Sequence, residues 1–141
     1  MKKTIVIFLF VAAMAAAPEM ALCQEEPATE KLVLNNGARW KADQATIANV
    51  SRLKNIVNNA ARKTTPSLKN HQATAKALQA GIARMMKECE LKGPDHLALH
   101  HWLEPLMAKI NQLKAATGIT EVERSFNEIK AQLNLFDRYF Q

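Results

Sequence analysis

The sequence predicts an all-α protein, an antiparallel four-helix bundle with up-down-up-down topology. Apolar residues recur at three- and four-residue steps in four segments of roughly 20 residues, which is the period of an amphipathic helix. Proline, glycine and helix-capping residues separate these segments at residues 64–66, 92–94 and 117–118. Because such short connections make neighbouring helices antiparallel, the four segments are expected to pack as a bundle.

The first two helical segments each begin at residues that favour a helix start. Asp43 is the expected N-cap of the first segment, which ends near Lys63. The second segment begins at residues 64–66, where two hydroxyl side chains precede a proline in the first turn. The two apolar stripes consist of Ile47, Val50, Leu53, Val57 and Ala60 or Ala61, and of Leu68, Ala75, Leu78, Ile82, Met85 or Met86, and Cys89.

The third and fourth segments are bounded in the same way. Gly93 and Pro94 end the second segment, because glycine adopts the left-handed conformation past a helix C-terminus and proline does not continue the helix. Asp95 is expected to cap the third segment, and Pro105 to bend it. The fourth segment starts with a capping box, TEVE, at residues 120–123. The stripes are Leu99, Leu103, Leu106, Ile110 and Leu113, and then Val122, Phe126, Ile129, Leu133, Phe136 and Phe140.

The first 23 residues have the layout of a secretory signal peptide. Two lysines precede an apolar run at residues 4–17, and the small residues Ala21 and Cys23 stand where a cleavage site requires them. The run is shorter than the roughly 20 residues that cross a bilayer. We therefore expect export to the periplasm or the cell exterior, a mature N-terminus at Gln24 and no transmembrane segment after signal removal. The alternative is a lipid anchor on Cys23, although the bulky Leu22 precedes it.

The rest of the chain has room for one domain. Removing residues 1–23 from the 141 residues leaves 118 and changes the net charge from +6 to +5, since two lysines and one glutamate leave. We divide these residues into a flexible, extended leader at 24–42 and the bundle at 43–141. A turn at residues 35–37 folds the leader back and packs Trp40 on the bundle. The basic residues are scattered without interleaved aromatic residues, which argues against a nucleic-acid partner.

Sulfur and imidazole side chains gather on both sides of the second predicted turn. If Cys23 leaves with the signal peptide, Cys89 has no intramolecular disulfide partner in an oxidising compartment. Met85 and Cys89 are four residues apart in one predicted helix, and His96 and His100 are four apart in the next, so each pair shares a helix face. The short turn brings the two faces together. We therefore expect these four side chains to bind one metal ion.

The residue types of this cluster indicate a soft ion and leave two ions open. Thiolate and thioether ligands favour Cu(I), whereas cysteine and two histidines with a carboxylate or water favour Zn(II). Glu88, Asp95, His101 and Glu104 are near enough to be alternate ligands or neighbours of the ligands. The competing interpretation is structural, because methionine and cysteine are ordinary core residues and histidines near a helix start are often solvated.

Other arrangements that would indicate an enzyme are not found in the sequence. It contains no Ser-His-Asp set, no paired catalytic carboxylates, no glycine-rich phosphate loop and no C-x-x-C-H haem motif. His71 is more than three helical turns from the cluster and is expected at the surface, and Trp102 is expected to pack at the edge of the bundle. We expect no enzymatic activity, since a metal whose positions are all filled by protein has no open site for substrate.

A short signature runs through the same region. LNNGARWKAD stands near the mature start, and the later part fits C-x-x-x-G-x-x-H and L-H-x-W-L patterns, read at Cys89, Gly93, His96, Leu99, His100, Trp102 and Leu103. These motifs resemble those of small exported bacterial helical proteins with no established activity, which more often have a methionine near the position of Leu91. The resemblance covers most of residues 32–110. It implies a helical exported protein and adds weight to the site without naming a reaction.

The sequence therefore supports two functional hypotheses. The first is an exported bundle that sequesters or passes a soft metal ion, Cu(I) or Zn(II), through Met85, Cys89, His96 and His100. The second is an envelope-associated structural or protein-interaction bundle, in which the same cluster is only the packed end of a helical hairpin. The two hypotheses differ in whether the four side chains at the second turn lie close enough to share one ion.

Overall fold

A computed structural model describes residues 31–63 and 67–141 of the chain. Four α-helices contain most of these residues: α1 (Gln44–Ala61), α2 (Leu68–Glu88), α3 (Gly93–Ala115) and α4 (Ile119–Tyr139). Within the described ranges there is no β-strand, only two isolated β-bridges. The predicted all-α class is confirmed. The expected signal peptide and the expected helix start at residues 64–66 lie outside the described residues.

The four helices enclose one apolar core. α1 contacts α2, α2 contacts α3, α3 contacts α4 and α4 returns to α1, which is consistent with a bundle. The predicted stripes supply most of the core: Val50, Leu53, Val57, Ala75, Leu78, Ile82, Met85, Leu99, Leu103, Leu106, Ile110, Leu113, Val122, Ile129, Leu133, Phe136 and Phe140. In the ranges that the structure describes, no helix has both the length and the hydropathy to cross a membrane.

The C-terminal end of α2 differs from the predicted one. The helix begins at Leu68, where the Ser67 hydroxyl accepts a hydrogen bond of 3.2 Å from the amide of Asn70. It ends at Glu88, well before the predicted stop at Gly93. The left-handed conformation predicted for Gly93 is present, with φ of 61°, but this glycine opens α3 instead of closing α2. Residues 89–92 form the connection between the two helices.

The predicted caps of α3 and α4 do not form. Lys92 occupies the N-cap position of α3, and the Asp95 carboxylate accepts a hydrogen bond of 3.0 Å from the amide of Lys41. α4 begins at Ile119, before the predicted capping box, and the Glu121 carboxylate accepts from the amide of Thr117 at 3.1 Å. Asp95 thus binds an amide of the leader, whereas Glu121 binds the amide of Thr117 directly before α4.

Trp102 lies in the core and not at the edge of the bundle. Its side chain is fully buried, and its indole Nε1 donates a hydrogen bond of 3.0 Å to the carbonyl of Gln132. In return, Nε2 of Gln132 donates to the carbonyl of Trp102 at 2.9 Å. This reciprocal pair connects α3 to α4 and satisfies polar groups that burial would otherwise leave without partners. α3 continues through Pro105 to its end at Ala115.

The described part of the leader, residues 31–42, packs on the bundle. Asn36 and Gly37 both have positive φ and form the predicted tight turn, which two hydrogen bonds of 2.9 Å close. Beyond the turn, the amide of Trp40 donates to the carbonyl of Tyr139 at 2.8 Å, and its carbonyl accepts from the amide of Gln141 at 2.9 Å. Trp40 packs against the core as predicted. The N-terminal segment thus pairs with the end of α4.

Candidate metal centre

The four predicted ligands meet at the end of α2 and the start of α3. They border one cavity of about 140 Å³, whose lining consists of Met85, Met86, Cys89, His96, Leu99, His100 and Leu103. The short connection at 89–92 keeps the two helix ends side by side. The structure therefore brings together the residues that the sequence assigned to one site, while their binding of a metal stays a prediction.

His96 stands between the other two polar ligands. Sγ of Cys89 is 3.8 Å from Nδ1 of His96, and Nε2 of His96 is 2.9 Å from Nε2 of His100. The two imidazole rings meet edge to face, with centroids 4.5 Å apart. In the tautomer that carries its proton on Nε2, His96 receives the thiol hydrogen at Nδ1 and donates its own to His100. The three side chains thus form a continuous chain of polar contacts.

The two nitrogens of His96 face different partners, and this limits what the present arrangement can bind. A neutral imidazole has one free lone pair, so His96 binds a metal either beside Cys89 or beside His100. Among the described residues, no three His, Cys, Asp or Glu side chains are placed to hold one ion together. A site that uses Cys89, His96 and His100 at once therefore requires side-chain rotation when the ion arrives.

The histidine pair is the half of the site that needs least movement. Two nitrogens bound to a tetrahedral ion at about 2.0–2.1 Å stand about 3.3 Å apart. The two Nε2 atoms of His96 and His100 are 2.9 Å apart, so a small opening of the pair admits an ion. Cys89 is half-buried at the C-cap of α2, where its backbone is already extended. Rotation of its side chain leaves the helical hydrogen bonds intact.

A hydrogen-bond network fixes the end of α2 beside Cys89. Asn49, buried in α1, donates from Nδ2 to Oε2 of Glu88 at 2.8 Å, and Arg84 donates from Nε to Oε1 of Glu88 at 2.8 Å. The hydrogen bond from Asn49 and then that from Arg84 hold the pKa of Glu88 below its usual value. The sequence suggested Glu88 as an alternate ligand. Its carboxylate instead binds Asn49 and Arg84 and positions the end of α2.

Asp43 attaches the loop after Cys89 to the start of α1. Its Oδ1 accepts from the amide of Thr46 at 2.6 Å, which confirms the predicted N-cap, and its Oδ2 accepts from the amide of Glu90 at 2.7 Å. Burial acts to raise the pKa of Asp43, but the hydrogen bonds from Thr46 and Glu90 outweigh it and leave the pKa below its ordinary value. The second contact explains why α2 stops at Glu88.

The remaining residues that the sequence suggested as alternate ligands lie away from the cavity. Asp95 is engaged with the amide of Lys41. His101 lines a different cavity, which is formed with residues of α4. Glu104 is exposed to solvent. Among the described residues, sulfur and nitrogen atoms are therefore the donors that border the site.

His71 is not the surface residue that its isolated position indicated. Its ring is half-buried and lies edge-on to Phe126, with centroids 5.8 Å apart. Its Nδ1 atom is buried and makes no hydrogen bond to the described part of the chain. The expectation failed because one face of α2 at this level packs against α4.

Met86 borders the cavity although it is not among the predicted ligands. The sequence left open whether Met85 or Met86 belongs to the apolar stripe of α2. The structure places Met85 in the core, with 1% of its surface exposed, and Met86 at the surface, with 56% exposed. Both line the cavity, so the helical spacing identified one of the two thioethers and missed the other.

No protein-family model matches the chain, and neither does any curated protein or solved structure at a significant level. The side chains that line the cavity are therefore the basis of the functional proposal.

Proposed function

We propose that this protein binds one soft metal ion in the cavity between α2 and α3, through Cys89, His96 and His100, with Met85 as a further ligand. The observation that carries the proposal is the continuous contact from the Cys89 thiol through His96 to His100 at the wall of a sulfur-lined cavity. We also propose that residues 1–23 are a secretory signal peptide and that the four helices follow an up-down-up-down order.

The geometry suggests an order of binding. His100 is exposed, so an arriving ion first meets the His96–His100 pair. Cys89 then turns toward the ion and binds as a thiolate, and the thiol proton is released to solvent. Because protons compete with the metal for both imidazole and thiolate, affinity falls as the pH is lowered.

The direct test is a titration of the protein with Cu(I) and with Zn(II), followed by native mass spectrometry. We expect one ion per chain. Cys89→Ser, His96→Ala and His100→Ala should each weaken binding by at least the roughly 10- to 100-fold seen when partners around metal ligands are removed. His101→Ala is the matched control, since it removes an imidazole one position away that lines another cavity. His71→Ala is a more distant control, and both should bind like the natural protein.

Thermal unfolding and thiol chemistry provide a second readout. An ion present at 100 times its Kd stabilises the folded state by about 2.7 kcal/mol, which raises the Tm of a domain of this size by roughly 10 °C. The bound ion should also slow alkylation of Cys89. An unchanged Tm together with an unchanged alkylation rate would support the alternative function, a structural or interaction bundle whose cluster is only the packed end of a hairpin.

A further inference from the structure

Two neighbouring thioethers border the cavity. Met85 and Met86 are consecutive in α2, and consecutive side chains on a helix point about 100° apart. Met85 therefore reaches the cavity from the core, where it is 1% exposed, and Met86 reaches it from the surface, where it is 56% exposed. The cavity is thus lined by one buried thioether and by one that is largely exposed.

The nearby carboxylates are occupied elsewhere. Glu88 accepts from Asn49 and Arg84, and Asp95 accepts from the backbone amide of Lys41. In the part of the chain that the structure describes, no carboxylate lines the cavity. The donors available to an ion are thus one thiol, two imidazoles and two thioethers, without a hard oxygen side chain.

We infer that the ion of this site is Cu(I) and that Met86 is its ligand on the solvent side, an inference that rests on the proposed metal site. Thioethers are soft ligands that favour Cu(I), whereas Zn(II) is bound in proteins by thiolate, imidazole and carboxylate. A zinc site gains nothing from two methionines, whereas Cu(I) takes up to four ligands, so Met85 and Met86 compete for the one position beside the thiolate and the two imidazoles, and the exposed Met86 fills it from the solvent side. Met86 therefore distinguishes between the two ions that the sequence left open.

Met86 closes over an ion without disturbing the core. Methionine is unbranched and has three rotatable side-chain bonds, so it adjusts to a ligand position at low cost. Met85 packs among buried side chains and is held in place, whereas Met86 is largely in water. The exposed thioether also lines a neighbouring apolar groove with Met107, so it has room to swing between the two positions.

The test compares Cu(I) and Zn(II) affinities of the natural protein and two leucine variants, using competition with a chromophoric chelator under anaerobic conditions for Cu(I). Met86→Leu keeps the size and the apolar character of an exposed side chain, so the fold is preserved. We expect it to weaken Cu(I) binding about tenfold and to leave Zn(II) binding unchanged. Met107→Leu is the matched control, because it removes a thioether from the adjacent groove and not from the cavity; both affinities should stay as in the natural protein.

Three outcomes distinguish the role of Met86, the choice of ion and the proposed metal site from one another. Equal Cu(I) affinity in Met86→Leu and the natural protein would overturn the role of Met86. Tighter binding of Zn(II) than of Cu(I) by the natural protein would overturn the choice of ion, with the metal site itself intact. Failure of the natural protein to bind either ion would overturn both the proposed function and this inference.

Discussion

Gln132 illustrates how single polar side chains fix the arrangement of the helices. It is buried in α4, and its side-chain amide donates to the carbonyl of Trp102 on α3. The indole of Trp102 returns a hydrogen bond to the carbonyl of Gln132. Because both hydrogen bonds lie in the core, each of them contributes to holding α3 against α4.

Replacement of Gln132 by alanine should therefore destabilise the protein. We expect a loss of about 1–2 kcal/mol in the free energy of unfolding, from the hydrogen bond that Nε2 of Gln132 donates to the Trp102 carbonyl and from the lost packing, while the indole keeps its acceptor, the backbone carbonyl of residue 132. Urea denaturation measures it. Asn134→Ala, two residues along the same helix and exposed, is the control and should change stability by less than about 0.5 kcal/mol. Equal effects of the two substitutions would refute the role of the Trp102–Gln132 pair.

At the level of elements, α1 and α2 approach each other closely at Gly81. A Cβ atom placed on this glycine would stand 2.6 Å from Cδ2 of Leu53, a fully buried side chain of α1. The absence of a side chain at Gly81 thus allows the two helices to pack at this point, against the general preference of helices for residues other than glycine.

Gly81→Val should force α1 and α2 apart or push Leu53 out of its position. The expected loss is about 1–3 kcal/mol, the usual range for overpacking a core. Ala80→Val is the matched control, since it introduces the same β-branched side chain on the exposed face of the same helix. Chemical denaturation compares the two variants, and a Gly81→Val protein as stable as Ala80→Val would show that the helices are not in close contact here.

The hydrogen bonds that Asp43 accepts from Thr46 and from Glu90 should make the stability of the fold depend on pH. The pKa of Asp43 is lowered in the folded protein from an ordinary value of 3.8, so its hydrogen bonds stabilise the fold above that value. The contribution is lost as the pH falls through the lower, folded pKa. Asp43→Asn keeps the shape and removes the titration, so the loss of stability between pH 6 and pH 2.5 should be smaller in the variant. Urea midpoints at the two pH values test this, and an unchanged difference would contradict it.

The sequence predicted features that depend on local periodicity and missed those that depend on contacts between distant residues. Most positions of the apolar stripes were correct because burial follows helical periodicity, as Leu53 in α1 and Leu103 in α3 illustrate, but Leu68 at the start of α2 is exposed. The cap expected at Asp95 was wrong, since local spacing does not show that this carboxylate binds the distant amide of Lys41, and α4 begins before the capping box expected at residues 120–123. For the same reason the sequence did not indicate that Asn49 holds Glu88, since the two residues are 39 positions apart.

Over the whole molecule, residues 40–43 bind three other segments at the end that carries the candidate site. The leader pairs with the end of α4 through Trp40, the amide of Lys41 binds Asp95 at the start of α3, and Asp43 holds the loop after Cys89. The backbone around the cavity is therefore fixed from several sides. The proposed binding of a metal would then require rotation of side chains and no rearrangement of helices.

The central claim is that Cys89 and the two histidines share one ion, and X-ray absorption of the metal-loaded protein tests it most directly. We expect nitrogen scatterers at about 2.0–2.1 Å from imidazole and a sulfur scatterer at about 2.3 Å, the distances of thiolate and imidazole sites. In Cys89→Ser the sulfur contribution should fall, and in His100→Ala the nitrogen contribution should fall. A first shell without sulfur, or one that neither substitution alters, would contradict the account.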